Sequence, residues 1–187
     1  MENLENQKSS EKKEKPPFLY HGSPYLIEEL EPRTRPHREK EEGKLVFATS
    51  EIGDASMFLE KTSLTGHFLV EGEEVAFAIV VGDRESFLKK DKGGHIHVLP
   101  SETFEPTPHK GMSNEWVSKE SVKPSKVLEY DSALNAMLEY GVQVYFVDNS
   151  TFQKISEAKD YGYSILQNIQ SENQRRGVNV KEFKCGR

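Results

Sequence analysis

The sequence predicts an α+β fold, and three observations predict it. Two runs rich in β-branched residues, "EVAFAIVVGD" at 74–83 and "VQVYFVD" at 142–148, read as strands. "KLVFAT" at 44–49 is another strand, followed at once by residues able to cap a helix. "SALNAMLEYG" at 132–141 has helical spacing and closes on a glycine suited to a helix C-terminus.

The elements follow in chain order. Residues 1–16 carry lysines and glutamates with almost no apolar side chain, so ordering them would cost entropy without burial; a disordered leader is expected there. Residues 17–187 are expected to form one domain with a helical C-terminal extension, since 187 residues of 35% hydrophobic content suit a single core. "FLYHG" at 18–22 is the first strand. "PYLIEELEP" at 24–32 offers Leu26, Ile27 and Leu30 at helical spacing, enough for a turn or two before Pro32. "RTRPHREKEEG" at 33–43 is a polar loop. After "KLVFAT", Thr49 or Ser50 caps a helix whose apolar face is Ile52, Ala55, Phe58 and Leu59.

"GGHIHVLP" at 93–100 is a strand preceded by a glycine turn, and "EWVSKESVKPSKVLEY" at 115–130 holds two strands around a charged turn. "STFQKISEAKD" at 150–160 reads as a helix with a capping box from Ser150 to Gln153, and "YGYSILQNIQSEN" at 161–173 adds more helix. There is no internal repeat.

Composition narrows the partners. With 25 Lys and Arg against 31 Asp and Glu, the net charge of −6 does not recruit nucleic acid through the whole-protein field, although it leaves a local basic patch open. No run approaches the eighteen apolar residues that span a bilayer, and no apolar stretch follows the N-terminal charges as in a signal peptide. The cytoplasm, and no membrane partner, is the expectation. The single cysteine, Cys185, cannot form an internal disulfide, and the sequence predicts no arrangement of basic partners that would make it a nucleophile.

Several residues are candidates for chemistry. Gly22 lets a ligand approach the backbone, His21 can donate from one ring nitrogen while a neighbour fixes the other, and Ser23 adds a hydroxyl. The same residues also suit an ordinary strand histidine beside a bulge. Glu115 can stabilise developing positive charge, or be a solvated glutamate at a strand edge; Trp116 and Ser118 face opposite to Glu115 and Val117 on a regular strand. Arg33, Arg35, His37 and Arg38 suit a pyrophosphate or a nucleic-acid phosphate, but glutamates surround them and self-pairing accounts for the cluster equally well. His95 and His97 share one face of a strand, with His109 and Asp91 as remote additions, and no metal site is expected from that spacing. Asp83, Arg84 and Glu85 form either a functional loop or a polar turn. Neither a Walker loop nor a Rossmann glycine fingerprint is present.

Three blocks, "LYHGS" at 19–23, "KLVFATSEIGDASMF" at 44–58, and "NEWVS" at 114–118 with "VKPSKVLEY" after it, resemble in order and spacing the signatures of the ADP-ribosyltransferase-like superfamily, particularly its poly-ADP-ribose-polymerase-like branch. The resemblance covers about residues 18–130 and implies split antiparallel β-sheets with inserted and appended helices. It implies NAD as co-substrate, cleavage of the nicotinamide glycosidic bond, and transfer of ADP-ribose to an unknown acceptor, a protein among the possibilities, or to water. By that resemblance His21 bonds the adenosine-side ribose and Gly22 the carboxamide. Ser23 can add a hydroxyl contact to ribose, and Glu115 bonds the nicotinamide ribose; Arg33 and Arg35, from the basic cluster near this site, are candidates for the pyrophosphate. The chain departs from the branch at Val46, which stands where a tyrosine stacks on nicotinamide; Phe47 faces the other way, and Phe58 matches a second aromatic position. A silent binding module of the same fold and an RNA 2′-phosphotransferase-like enzyme are the two alternatives.

Overall fold

In the computed structural model of the chain, the described residues are 14–34, 43–60, 65–66, 78–107, 114–160, 162–175 and 182–184. Arg35, His37, Arg38, His109, Tyr161, Cys185 and most of the leader therefore lie outside the described residues. The elements are β1 (Phe18–Ser23), β2 (Val46–Thr49), α1 (Ile52–Ser56), β3 (Thr65–Gly66), β4 (Ala78–Val81), α2 (Arg84–Lys90), β5 (Gly94–Pro100), β6 (Glu105–Pro106), β7 (Glu115–Ser118), β8 (Lys126–Tyr130), α3 (Ala133–Glu139), β9 (Gln143–Phe146), α4 (Asn149–Glu157), α5 (Tyr163–Arg175) and β10 (Glu182–Lys184).

They build a mixed α+β fold with two sheets. The first sheet has strand order β6-β7-β2-β1-β5-β8 and is antiparallel throughout. The second has order β10-β9-β4-β3, and it departs from the expected antiparallel pairing: β4 with β9 and β9 with β10 run parallel. The reason is the path of the chain. Between β4 and β9 it crosses into the first sheet as β5 to β8 and returns through α3, and a crossover of that kind brings strands back in the same direction.

The pleat sorts the side chains. Ile79 and Val81 of β4 and Val144 and Phe146 of β9 meet Tyr20, Ile96 and Leu128 of the first sheet, joined by Ala55, Phe87, Ala136 and Met137 from the helices. Ala78, Val80 and Tyr145, on the other face of the second sheet, pack on Ile155, Leu166 and Ile169 of α4 and α5. Burial on both faces explains why these strands read as unbroken apolar runs. The far face of the first sheet holds Leu19, Val46, Ala48, Leu99 and Trp116, covered by Ile27, Leu30, Phe104 and Val122.

Local chemistry corrects several expectations. The stretch 24–34 is a strap, not a helical turn. Its amides go elsewhere: Leu30 and Val122 exchange backbone hydrogen bonds at 2.8 and 2.9 Å, and Arg33 and Leu45 do so at 3.0 and 3.2 Å. Pro24 and Pro32 at its ends supply no N–H for a helix. α1 is entered through Glu51, which makes no side-chain cap; Thr49 instead accepts the Glu51 N–H through Oγ1 at 3.1 Å. Phe58 lies just past the five-residue α1 rather than on it. α4 is capped by Asp148, whose carboxylate accepts the Thr151 N–H at 2.8 Å, two residues earlier than the expected Ser150–Gln153 box. Asp83 caps α2, so the Asp83–Glu85 stretch begins a helix. Gly141, at φ +81°, follows α3 in the left-handed conformation that favours glycine. No helix among the described residues is long and apolar enough to cross a membrane.

Candidate functional site

Strand β1 carries three candidates on alternating faces. His21 pairs with His97 and Ser23 with His95 across β5, while Gly22 between them points to the other side. The His21 imidazole turns toward β2, where its Nδ1 donates to the Phe47 carbonyl at 2.7 Å. A carbonyl only accepts, so a neutral His21 ring carries its proton on Nδ1 and presents Nε2 as an acceptor.

On the His21 side the strap borders an open cleft of ≈ 610 Å³, lined by His21, Ser23, Arg33 and the strap residues Tyr25 to Glu29 and Glu31. The structure thus brings together three of the predicted polar residues. Ser23 is buried and accepts the Tyr25 N–H at 3.1 Å, fixing the turn where the strap begins. Arg33 is exposed at the rim. Among the described lining residues, Glu28, Glu29 and Glu31 stand against one guanidinium, so that part of the cleft is acidic. Sequence reasoning saw those glutamates only as neighbours of the arginines.

Glu115 belongs to the opposite face. Thr49 is the Cα partner of both Tyr20 and Glu115, so Tyr20, Thr49 and Glu115 form a row across three strands. His21, one residue along from Tyr20, has the reverse pleat, and the two proposed catalytic side chains leave the sheet in different directions. Phe47 is on Glu115's face, one pleat along β2, and is buried. Val46 is 3% exposed and packed in the cluster with Leu19, Leu99 and Trp116, with no access to either site.

Helix α1 closes over this second face. A β-carbon on Gly22 would stand 1.8 Å from the Ala55 carbonyl oxygen and 3.2 Å from the Phe58 β-carbon. The close approach that Gly22 permits is therefore made by the protein's own helix. Beside it the Phe58 ring is 54% exposed and can stack on a planar group.

Two residues that sequence reasoning passed over complete the Glu115 side. Thr49 donates from Oγ1 to Asp54 at 3.1 Å, and Asp54 is buried on α1. Thr49 thus adjoins two carboxylates, one by hydrogen bond and one by strand pairing. The signal was an aspartate among the small residues of "EIGDAS", where a helix packed on a sheet keeps a charge only if donors meet it. A half-buried carboxylate with a hydroxyl and a second carboxylate nearby can hold a ribose hydroxyl and stabilise a cation beside it.

Beside His95, His97 has no ring nitrogen left for a metal. His97 is wholly buried and both its ring nitrogens are engaged with backbone, through His21 and Ile27. Among the described residues no group of three or more His, Cys, Asp or Glu is arranged to hold a metal ion. Comparison with protein-family models, with curated proteins and with solved structures returns no match for the chain.

Proposed function

We propose that the chain is an ADP-ribosyltransferase-like enzyme that binds NAD, breaks its nicotinamide glycosidic bond and passes ADP-ribose to an acceptor, protein or water. The observation that carries the reading is the Tyr20–Thr49–Glu115 row, with the exposed Phe58 on the same side of the sheet. Glu115 accepts a hydrogen bond from the nicotinamide ribose and opposes the positive charge that builds on the sugar as the bond breaks. Nicotinamide leaves as a neutral molecule; the acceptor oxygen or nitrogen bonds to the anomeric carbon and loses its proton to solvent. Phe58 stands as one wall for the nicotinamide ring. His21, Ser23 and Arg33, across the sheet, serve the adenosine half only if the dinucleotide wraps the end of β1. Such chemistry fits the cytoplasm, where NAD is abundant.

A catalytically silent binder of the same fold is the second reading, and two observations favour it. Val46 is in the core and offers no ring to a ligand, and the Ala55 carbonyl fills the space over Gly22. Among the described residues of the cleft, Glu28, Glu29 and Glu31 repel a phosphate backbone and outnumber Arg33, which disfavours an RNA 2′-phosphotransferase.

Titration with NAD, with released nicotinamide measured in wild type and Glu115→Gln, tests the proposal. Release that falls by about 10²–10³ in the variant, with binding retained, is the expected result for loss of one charge-stabilising group. Binding without release in either protein selects the silent binder. Neither binding nor release from a folded sample overturns NAD chemistry.

A further inference from the structure

The strap that roofs the cleft is tied at its middle to a buried histidine. The Ile27 N–H donates to Nε2 of His97 at 3.0 Å, and Nδ1 of the same ring donates to the His21 carbonyl at 3.2 Å. An amide N–H cannot accept and a carbonyl cannot donate. The ring is therefore neutral, protonated on Nδ1, with its Nε2 lone pair spent on the strap. His97 has no exposed surface.

We propose that His97 is a positioning residue that latches the strap over the His21 cleft, and that a second proton on its ring releases the latch. A proton on Nε2 would face the Ile27 N–H, donor against donor. On either side of Ile27 the strap is held by bonds that do not involve His97, the Tyr25 amide on Ser23 and the Leu30 amide on Val122. These two ties stay, so the released stretch is 26–29, which carries Leu26, Ile27, Glu28 and Glu29 of the cleft lining. The latch acts on the cleft whether or not its ligand is NAD.

The groups around the ring decide where release occurs. From β1 the His21 ring lies with its centroid 6.1 Å away, and from β5 the His95 ring at 6.2 Å. From β8 the exposed Glu129 reaches His95 Nε2 at 4.0 Å. The strap itself brings Glu28, Glu29, Glu31 and Arg33 around the cleft. Burial holds the His97 imidazole below its ordinary 6.5, its hydrogen bond to the His21 carbonyl acts the other way, and charge on His95 lowers it further. A base whose folded pKa is depressed contributes stability in full above its ordinary pKa and loses it as pH falls. Release therefore belongs below pH 6.5.

Nitrogen NMR of the histidine rings and hydrogen exchange of the Ile27 amide, in the full chain between neutral and acidic pH, test the latch. At neutral pH His97 should show a protonated Nδ1 and an unprotonated Nε2. As pH falls below 6.5, protection of Ile27, corrected for the intrinsic pH dependence of exchange, should drop tenfold or more, while the Leu30 and Val122 amides keep theirs. His97→Gln retains an acceptor for Ile27 but cannot titrate, and its Ile27 protection should not change with pH. An Nε2-protonated tautomer at neutral pH overturns the proposal. So does Ile27 protection that ignores the titration of His97. If His97→Gln fails to fold, the wild-type tautomer and exchange profile still decide. Loss of NAD binding in the earlier experiment leaves these readouts unchanged, so the two proposals fail separately.

Discussion

The carbonyl oxygen of Ala55 rests against the bare α-carbon of Gly22, 1.8 Å from where a β-carbon would stand. This contact seats α1 on β1 and decides how close the helix comes to the sheet. Backbone cannot rotate away as a side-chain tip can. Gly22→Ala should destabilise the fold by about 1–3 kcal/mol or more, the usual cost of overpacking. Gly141 makes the control: it has nothing within 4 Å but a φ of +81°, so Gly141→Ala should cost only about 1 kcal/mol from conformation. Thermal melts of the two variants side by side check the order. Equal losses would mean that α1 does not press on β1.

Asp91 ties the end of α2 to the start of α3. Its carboxylate accepts from Ser132 Oγ at 2.7 Å, from the Ala133 and Leu134 amides at 2.6 and 3.1 Å, and from the Gly93 amide at 3.0 Å. Asp91→Ala leaves these donors without their acceptor and should lower stability by about 2–3 kcal/mol, given what hydrogen bonds to charged groups contribute. Asp91→Asn keeps one acceptor oxygen and should recover part of the loss. Denaturant unfolding measures both. An alanine variant as stable as the parent would show that Asp91 is not the link between these segments.

Alkaline pH should act through Tyr145. Burial pushes its phenol from 10.0 up to about 12, and its O–H donates to Gln143 Oε1 at 2.5 Å. The unfolded chain loses this proton first, so the stabilising contribution is full below pH 10 and disappears as pH rises toward 12. Tyr130 is shifted in the same direction, by burial first and then by its hydrogen bond with Tyr140. Melting temperature followed from pH 9 to 12 should fall through that window, less steeply in Tyr145→Phe. Absorbance titration showing Tyr145 ionised at pH 10 in the folded protein would refute the assignment.

Elements whose burial repeats along the chain are legible in the residues alone. β4 and β9 were legible because both faces are covered, which leaves an unbroken apolar run, and β7 because Glu115 and Val117 alternate with the buried Trp116 and Ser118. α3 was legible because its spacing and Gly141 agree. The candidate residues His21, Ser23 and Arg33 were named from residue type, and they line one cleft. The other features emerge on folding, because each depends on a partner far along the chain. Leu26, Ile27 and Leu30 have helical spacing, yet Val122 and His97 take the amides a helix would need. Whether β9 runs parallel to β4 is set by a crossover through the other sheet, which no local pattern encodes. The faces of His21 and Glu115 depend on a register passed from β1 through Thr49 to β7. The protonation of His97 depends on which backbone groups meet its two nitrogens. Local spacing specifies which way a side chain can point, and packing specifies what it meets there.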